Sequence, residues 1–153
     1  MRYSRFSYTQ GFTLIEVMVV IVILGLLAAV IAPRIMDNPD KARVVRAKQD
    51  VQTLANALQL YKLDNFDYPT TDQGLEALVK KPDTSPVPKH WKAGGYLDQL
   101  PSDPWGNRYK YLQPGIHNSS FDVYSLGANG QPEGEALDAD IGNWNLNETT
   151  QGQ

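Results

Sequence analysis

The residues able to do chemistry are few and unevenly placed. Beyond Tyr111 the chain carries six acids, Asp122, Glu133, Glu135, Asp138, Asp140 and Glu148, and no Lys or Arg. Four of them, Glu133, Glu135, Asp138 and Asp140, fall in one Gly-containing stretch between Leu126 and Asn143. A flexible, negative, oxygen-rich loop has the donor types that Ca²⁺ takes, roughly 6–8 oxygens from carboxylates, amides and main-chain carbonyls. A solvated acidic loop has the same composition, so composition leaves both readings open. The stretch is not an EF-hand, because it lacks the acid spacing and the flanking helices. His90 and His117 stand in loop-like stretches and read as solvated. No Ser/His/Asp set or carboxylate pair of recognisable spacing supports hydrolysis. The chain has no Cys, which excludes disulfides, thiolate metal sites and a Cys nucleophile.

One further acid stands alone. Of the 21 residues from Phe12 to Ala32, 18 are apolar, the exceptions being Thr13, Glu16 and Gly25. As a helix this run spans about 30 Å, the thickness of a bilayer's hydrocarbon core. A core helix of a soluble protein would show a polar face, and this run has almost none. Arg2 and Arg5 precede it and no acid does, which places the N-terminus in the cytoplasm and the remainder across the membrane. A removable secretory signal ending near Ala28-Ala29 is the competing reading; the apolar run is too long for it and Glu16 is unexplained by it. A carboxylate in a lipid span costs about 2.5–3.5 kcal/mol at the centre and less near an end, so Glu16 is a functional candidate.

Other elements must position these groups. Val44, Ala47, Val51, Leu54, Leu58 and Tyr61 recur at steps of three and four, an amphipathic stripe. The spacing predicts one long helix from about Phe12 to Leu63, with Pro33 at a possible kink. Asp64 to Pro101 reads as a long connection. Within it Thr70-Thr71-Asp72-Gln73 resembles a capping box that opens a short helix through Leu75, Leu78 and Val79. Alternation predicts strands at Arg108–Leu112 and Phe121–Ser125, and a third at Asn143–Leu146. Asp103-Pro104-Trp105-Gly106 reads as a turn whose Trp105 packs on the helix, and Gly94-Gly95 as a bend. Composition over all 153 residues is ordinary: 14 Lys+Arg against 17 Asp+Glu, net charge −3, 42% hydrophobic. It excludes a basic nucleic-acid binder, a polytopic membrane protein and wholesale disorder.

Gly11-Phe12-Thr13-Leu14-Ile15-Glu16 resembles the start of the type IV pilin and pseudopilin family: a short basic leader ending in Gly, then Phe-Thr-Leu-Ile-Glu at the head of an apolar helix. The resemblance implies that a prepilin peptidase cuts after Gly11 and N-methylates Phe12. Glu16, one helical turn after Phe12, either snorkels at the membrane edge or compensates the amino terminus of Phe12 on a neighbouring subunit, in a setting of low dielectric. Tyr68-Pro69-Thr70-Thr71, Gln73-Gly74-Leu75, Gly94-Gly95-Tyr96-Leu97, Asp103-Pro104-Trp105-Gly106, Tyr124-Ser125-Leu126-Gly127 and Asp140-Ile141-Gly142-Asn143-Trp144 are similar, in order, to major pseudopilins of the bacterial type II secretion system. The implied fold is α+β: a long N-terminal helix on a small antiparallel sheet, with a long connecting loop and a C-terminal calcium loop. Residues 1–11 would be the leader, 12–32 the transmembrane and fibre-core part of the helix, and 33–153 the periplasmic domain.

In that loop the resemblance assigns Ca²⁺ to the carbonyls of Leu126 and Gln131 and the side chains of Asn129, Asp138 and Asp140. Many relatives have Asp at the position of Asn129, so this site has one negative charge fewer. The implied role is that of a structural subunit, not an enzyme. It would be held in the inner membrane and self-associate into a helical periplasmic fibre that drives export of folded proteins. Minor pseudopilins, the inner-membrane assembly platform, the prepilin peptidase and membrane lipid are the implied partners, with no nucleic acid. A type IV pilus subunit for adhesion or motility is the alternative within the family; the absence of Cys and the Asp140–Trp144 motif count against it. A membrane-anchored periplasmic Ca²⁺-binding domain or hydrolase is the alternative outside it.

Overall fold

The computed structural model describes residues 12–118 and 120–148 and, within the long helix, side chains outside positions 28–38. Helix α1 covers Leu14–Asn65. The chain divides into two compact units between Pro39 and Asp40. In the first, every described side chain from Phe12 to Leu27 is exposed, most of them large and apolar. Among the described residues no helix is long and apolar enough to cross a membrane. Of the expected span, Ala28 to Ala32 are described in backbone alone, and the expected leader, 1–11, lies outside the described residues.

The second unit is built on the predicted stripe. Ala47, Val51, Leu54, Leu58 and Tyr61 are buried, and Val44 at the start of the stripe is half-buried. Facing them are Tyr109, Tyr111, Phe121 and Val123, with Leu75, Ala77 and Leu78 closing one side. The sheet has three antiparallel strands in order β1 (Lys110–Leu112), β2 (Asp122–Ser125) and β3 (Ile141–Gly142). Register pairs Lys110 with Tyr124 and Leu112 with Asp122, then Tyr124 with Gly142 and Ser125 with Ile141. In β2 both faces are covered, since Asp122, Val123 and Ser125 are all buried. The α+β architecture is the expected one.

Polar ends of aromatic side chains tie helix to sheet and loop. The Tyr109 hydroxyl donates to Asp50 at 3.0 Å and the Tyr96 hydroxyl to Asp64 at 3.0 Å. The Tyr111 hydroxyl donates to the carbonyl of buried Pro69 at 2.7 Å. Burial pushes the ionisation of Tyr109 and Tyr111 well up, Tyr109 further because of the Asp50 charge. Both rings are therefore neutral donors across the physiological range. The long connection is held by the box expected at Thr70: its N–H donates to Gln73 Oε1 at 3.1 Å, and the Gln73 N–H to Thr70 Oγ1 at 3.2 Å. The next element is a 3₁₀ turn, Leu75–Leu78, rather than an α-helix, because Gly74 interrupts at φ 59°.

Three expectations need correction. The third strand is Ile141–Gly142, not Asn143–Leu146. Asn143 spends its amide across on β2, where its Oδ1 accepts the Val123 N–H and its Nδ2 donates to the Phe121 carbonyl, and Asn145 Oδ1 accepts the Gly142 N–H in a local turn. Side-chain bonds thus take the place of ladder bonds here, and the local one at Asn145 competes with a ladder directly. The indole packed on the core is that of Trp91, whose Nε1 donates to the Ala77 carbonyl at 2.8 Å, while Trp105 lies outside the core cluster. His117 is not simply solvated. It stacks on Trp144 at 3.9 Å and 12°, with Nδ1 3.2 Å from Asp122 Oδ2.

Candidate assembly end and acidic loop

At the head of α1, Thr13 and Glu16 form a reciprocal cap. Glu16 Oε2 accepts from the Thr13 N–H at 2.9 Å and the Thr13 hydroxyl at 3.0 Å, and the Glu16 N–H donates to Thr13 Oγ1 at 3.3 Å. Two otherwise orphaned helix N–H groups are satisfied this way. Phe12 is 89% exposed, beside a row of exposed Leu14, Ile15, Val17 and Met18. In one subunit the Glu16 carboxylate thus serves its own turn, and the apolar row is left to be covered. Gly11, the expected cleavage position, lies outside the described residues.

The acidic loop leaves β2 at Ser125 and returns at Ile141. Its two arms meet where the Ala128 N–H donates to the Leu137 carbonyl at 2.9 Å. Gly127, at φ 67°, lies so close that a Cβ there would stand 2.7 Å from the Asp138 carbonyl carbon, so no larger residue fits. These contacts bring the Leu126–Asn129 arm beside Asp138, which ends a 3₁₀ turn at Ala136–Asp138. Asn129 Oδ1 accepts the Gln131 N–H at 2.9 Å, an Asx turn that keeps Gln131 with the set. Gln131 itself is exposed, and among the described residues it joins the set through Asn129. Asp140 is reached from the other arm: its Oδ2 accepts the Glu133 N–H at 3.3 Å, and its carbonyl accepts from Asn145 at 3.0 Å.

The second carboxylate oxygen of Asp140 is buried and has no hydrogen-bond partner. A buried unpaired acceptor is costly, and on a carboxylate more so. A cation beside Asp140 would satisfy it. Asn129 Oδ1, with one N–H accepted, keeps a further lone pair. Among the described residues no three His, Cys, Asp or Glu side chains gather to hold a metal ion. The expected donors are two carboxylates, Asp138 and Asp140, and neutral oxygens, a mixture that would suit a hard cation.

Two arrangements escaped the sequence reading. Buried Asp122 accepts N–H bonds from Ile116, His117 and Asn118 at 2.7, 2.8 and 2.9 Å. Burial works to raise its carboxyl, and the bonds from His117, Asn118 and Ile116 outweigh it and hold it below the ordinary value. Buried Asp103 accepts from Ser125 at 2.6 Å. The only signal for either was an acid at an inward-facing strand position or opening a turn.

A long helix that lays an apolar stripe on a small antiparallel sheet, with an apolar head capped by Thr13 and Glu16, defines a pilin-like subunit. Residues 7–32 match the prokaryotic N-terminal methylation motif, and residues 34–144 match type II secretion system protein G. The chain is 61% identical over 135 residues to the type II secretion system core protein G of Pseudomonas aeruginosa, covering 88% of this chain and 94% of that one. It is 57% identical over 136 residues to the core protein G of Vibrio cholerae, covering 89% and 92%. Its structure resembles the crystal structure of the major pseudopilin from the type 2 secretion system of enterohaemorrhagic Escherichia coli, with TM-score 0.63 and 46% identity over 71% of this chain and 92% of that one. The chain belongs to the type II secretion system protein G family.

Proposed function

We propose that this chain is a major pseudopilin, the structural subunit that polymerises into the periplasmic pseudopilus of a type II secretion system and drives export of folded proteins across the outer membrane. One observation carries this: the same chain matches the methylation motif over residues 7–32 and protein G over residues 34–144, so the anchor and the globular domain point to one family. The subunit is not an enzyme; it acts by packing. Prepilin peptidase cuts after Gly11 and methylates Phe12. The stretch 12–32 sits in the inner membrane with the N-terminus cytoplasmic, and residues 33–153 are periplasmic. On assembly the exposed row from Phe12 to Leu27 is covered by neighbouring copies in a heterologous, non-closing contact, which generates a fibre. Glu16 then leaves Thr13 to compensate the amino terminus of Phe12 on a neighbour. Minor pseudopilins and the inner-membrane assembly platform are its partners.

The acidic loop binds Ca²⁺ through the carbonyls of Leu126 and Gln131 and the side chains of Asn129, Asp138 and Asp140, with the orphaned Asp140 oxygen as supporting observation. The ion would supply a positive centre that links the two arms, in a chain with no disulfide to do so. The test of the assembly reading is the N-terminus of the chain in sheared fibres, read by mass spectrometry. A fibre whose subunits begin at methylated Phe12 supports it; an intact leader on the chain and no fibre refutes it.

A further inference from the structure

The turn at Asp103-Pro104-Trp105-Gly106 has an exposed glycine but a buried acid. Asp103 Oδ1 accepts the N–H groups of Trp105 and Asn107 at 3.1 and 2.7 Å, which closes the turn. Its Oδ2 faces the other way and accepts the Ser125 hydroxyl at 2.6 Å. Ser125 is fully buried, and its oxygen accepts the Gly127 N–H at 3.2 Å. The Ser125 hydroxyl gives its proton to Asp103, and its lone pairs are left for Gly127. Gly127 is the residue that lies against Asp138, and the next residue, Ala128, donates to Leu137. The residue after the turn also approaches the loop, since the Asn107 amide lies 3.5–3.7 Å from where a Cβ on Gly130 would stand.

We propose that Asp103, acting through the Ser125 hydroxyl, is a positioning residue for the acidic loop: it holds Leu126–Gly130 against Leu137–Asp138 before any ion is bound. The donors are then arranged during folding, and little ordering is left for the ion to drive. This deepens the calcium reading of the loop and rests on it. Neither residue touches the ion. A merely structural role would weaken the whole domain alike; a positioning role loosens the loop first and lowers its affinity for the ion.

The experiment is hydrogen exchange followed by mass spectrometry on the full-length chain in detergent, in EDTA and in millimolar Ca²⁺. It compares wild type, Ser125→Ala and Leu58→Ala, the last weakening the core away from the loop. In EDTA, Ser125→Ala is expected to speed exchange of residues 126–138 about tenfold relative to residues 47–61, and to raise the apparent Kd for Ca²⁺ about tenfold, the order expected for loss of one charge-assisted hydrogen bond. Leu58→Ala should speed exchange in both segments alike and leave the Kd in place. Equal acceleration of loop and helix in Ser125→Ala, or an unchanged Kd beside a loosened loop, would overturn the proposal. Should wild type take up no Ca²⁺, the calcium reading fails, and the EDTA comparison alone decides the clamp by the same selective-or-uniform criterion. Asp103→Asn, which keeps size and one acceptor, replaces Ser125→Ala if the latter does not fold.

Discussion

Glu16 reaches back to the Thr13 N–H at 2.9 Å, so the one acid of the apolar run is engaged within its own first turn. That bond is exposed and intrachain, and an exchange for a neighbour's amino terminus trades one charge-assisted contact for another in a drier setting. Glu16→Ala should therefore leave membrane insertion intact and abolish fibres at native expression, by immunoblot of membranes and of sheared material. Normal fibre yield from Glu16→Ala would remove Glu16 from the assembly account.

The orphaned Asp140 oxygen makes a thermal prediction. An ion that binds only the folded state adds about 2.7 kcal/mol when present at about 100 times its Kd. For a domain of this size that corresponds to a rise in Tm of roughly 5–15 °C in millimolar Ca²⁺, read by calorimetry. Asp140→Ala should erase the rise. An equal rise in the variant would place the ion elsewhere.

Asp122 makes an acid-side prediction. Its carboxyl is held below the ordinary value of 3.8, so the folded state favours the ionised form. Its stabilisation is therefore fully present above the ordinary value and is lost as pH falls through the lowered one. Unfolding below about pH 4 should thus be shallower in Asp122→Asn, which also costs roughly 2–3 kcal/mol at neutral pH by leaving buried N–H groups poorly matched. An acid limb identical to wild type would show that another group governs it.

Phe66 ends α1 at φ 68°, with its N–H on the Lys62 carbonyl at 2.7 Å, the position usually given to glycine. Its ring is 79% exposed and recovers little by burial. Phe66→Gly should stabilise the domain by about 1 kcal/mol, relief of a left-handed residue against glycine's extra chain entropy. A loss of stability in denaturant titration would mean that the edge contact of Phe66 with His90 outweighs the strain.

Much of this was legible because it depends on periodicity. The stripe from Ala47 to Tyr61 and the first two strands follow from spacing of apolar side chains; burial honours that spacing along the helix, whereas in β2 Asp122 is buried beside Val123. The third strand was misplaced because Asn143 and Asn145 act through side-chain amides, which alternation does not register. His117 looked solvated because its partners, Asp122 and Trp144, lie 5 and 27 residues away in the chain, and proximity of that kind is made by the sheet. Asp103 and Ser125, 22 residues apart, were invisible as a pair for the same reason. The acidic loop was legible as an oxygen-rich segment, but not which oxygen would be left without a partner.

The central claim, that the chain is the building block of a secretion fibre, meets its most direct test in a comparison of secreted proteins with and without it. Deleting the chain in its own bacterium and quantifying the culture supernatant should show several secreted enzymes lost together and retained in the periplasm, with recovery on complementation by wild type but not by Glu16→Ala. An unchanged supernatant alongside loss of surface pili would contradict the account and make the chain a pilus subunit.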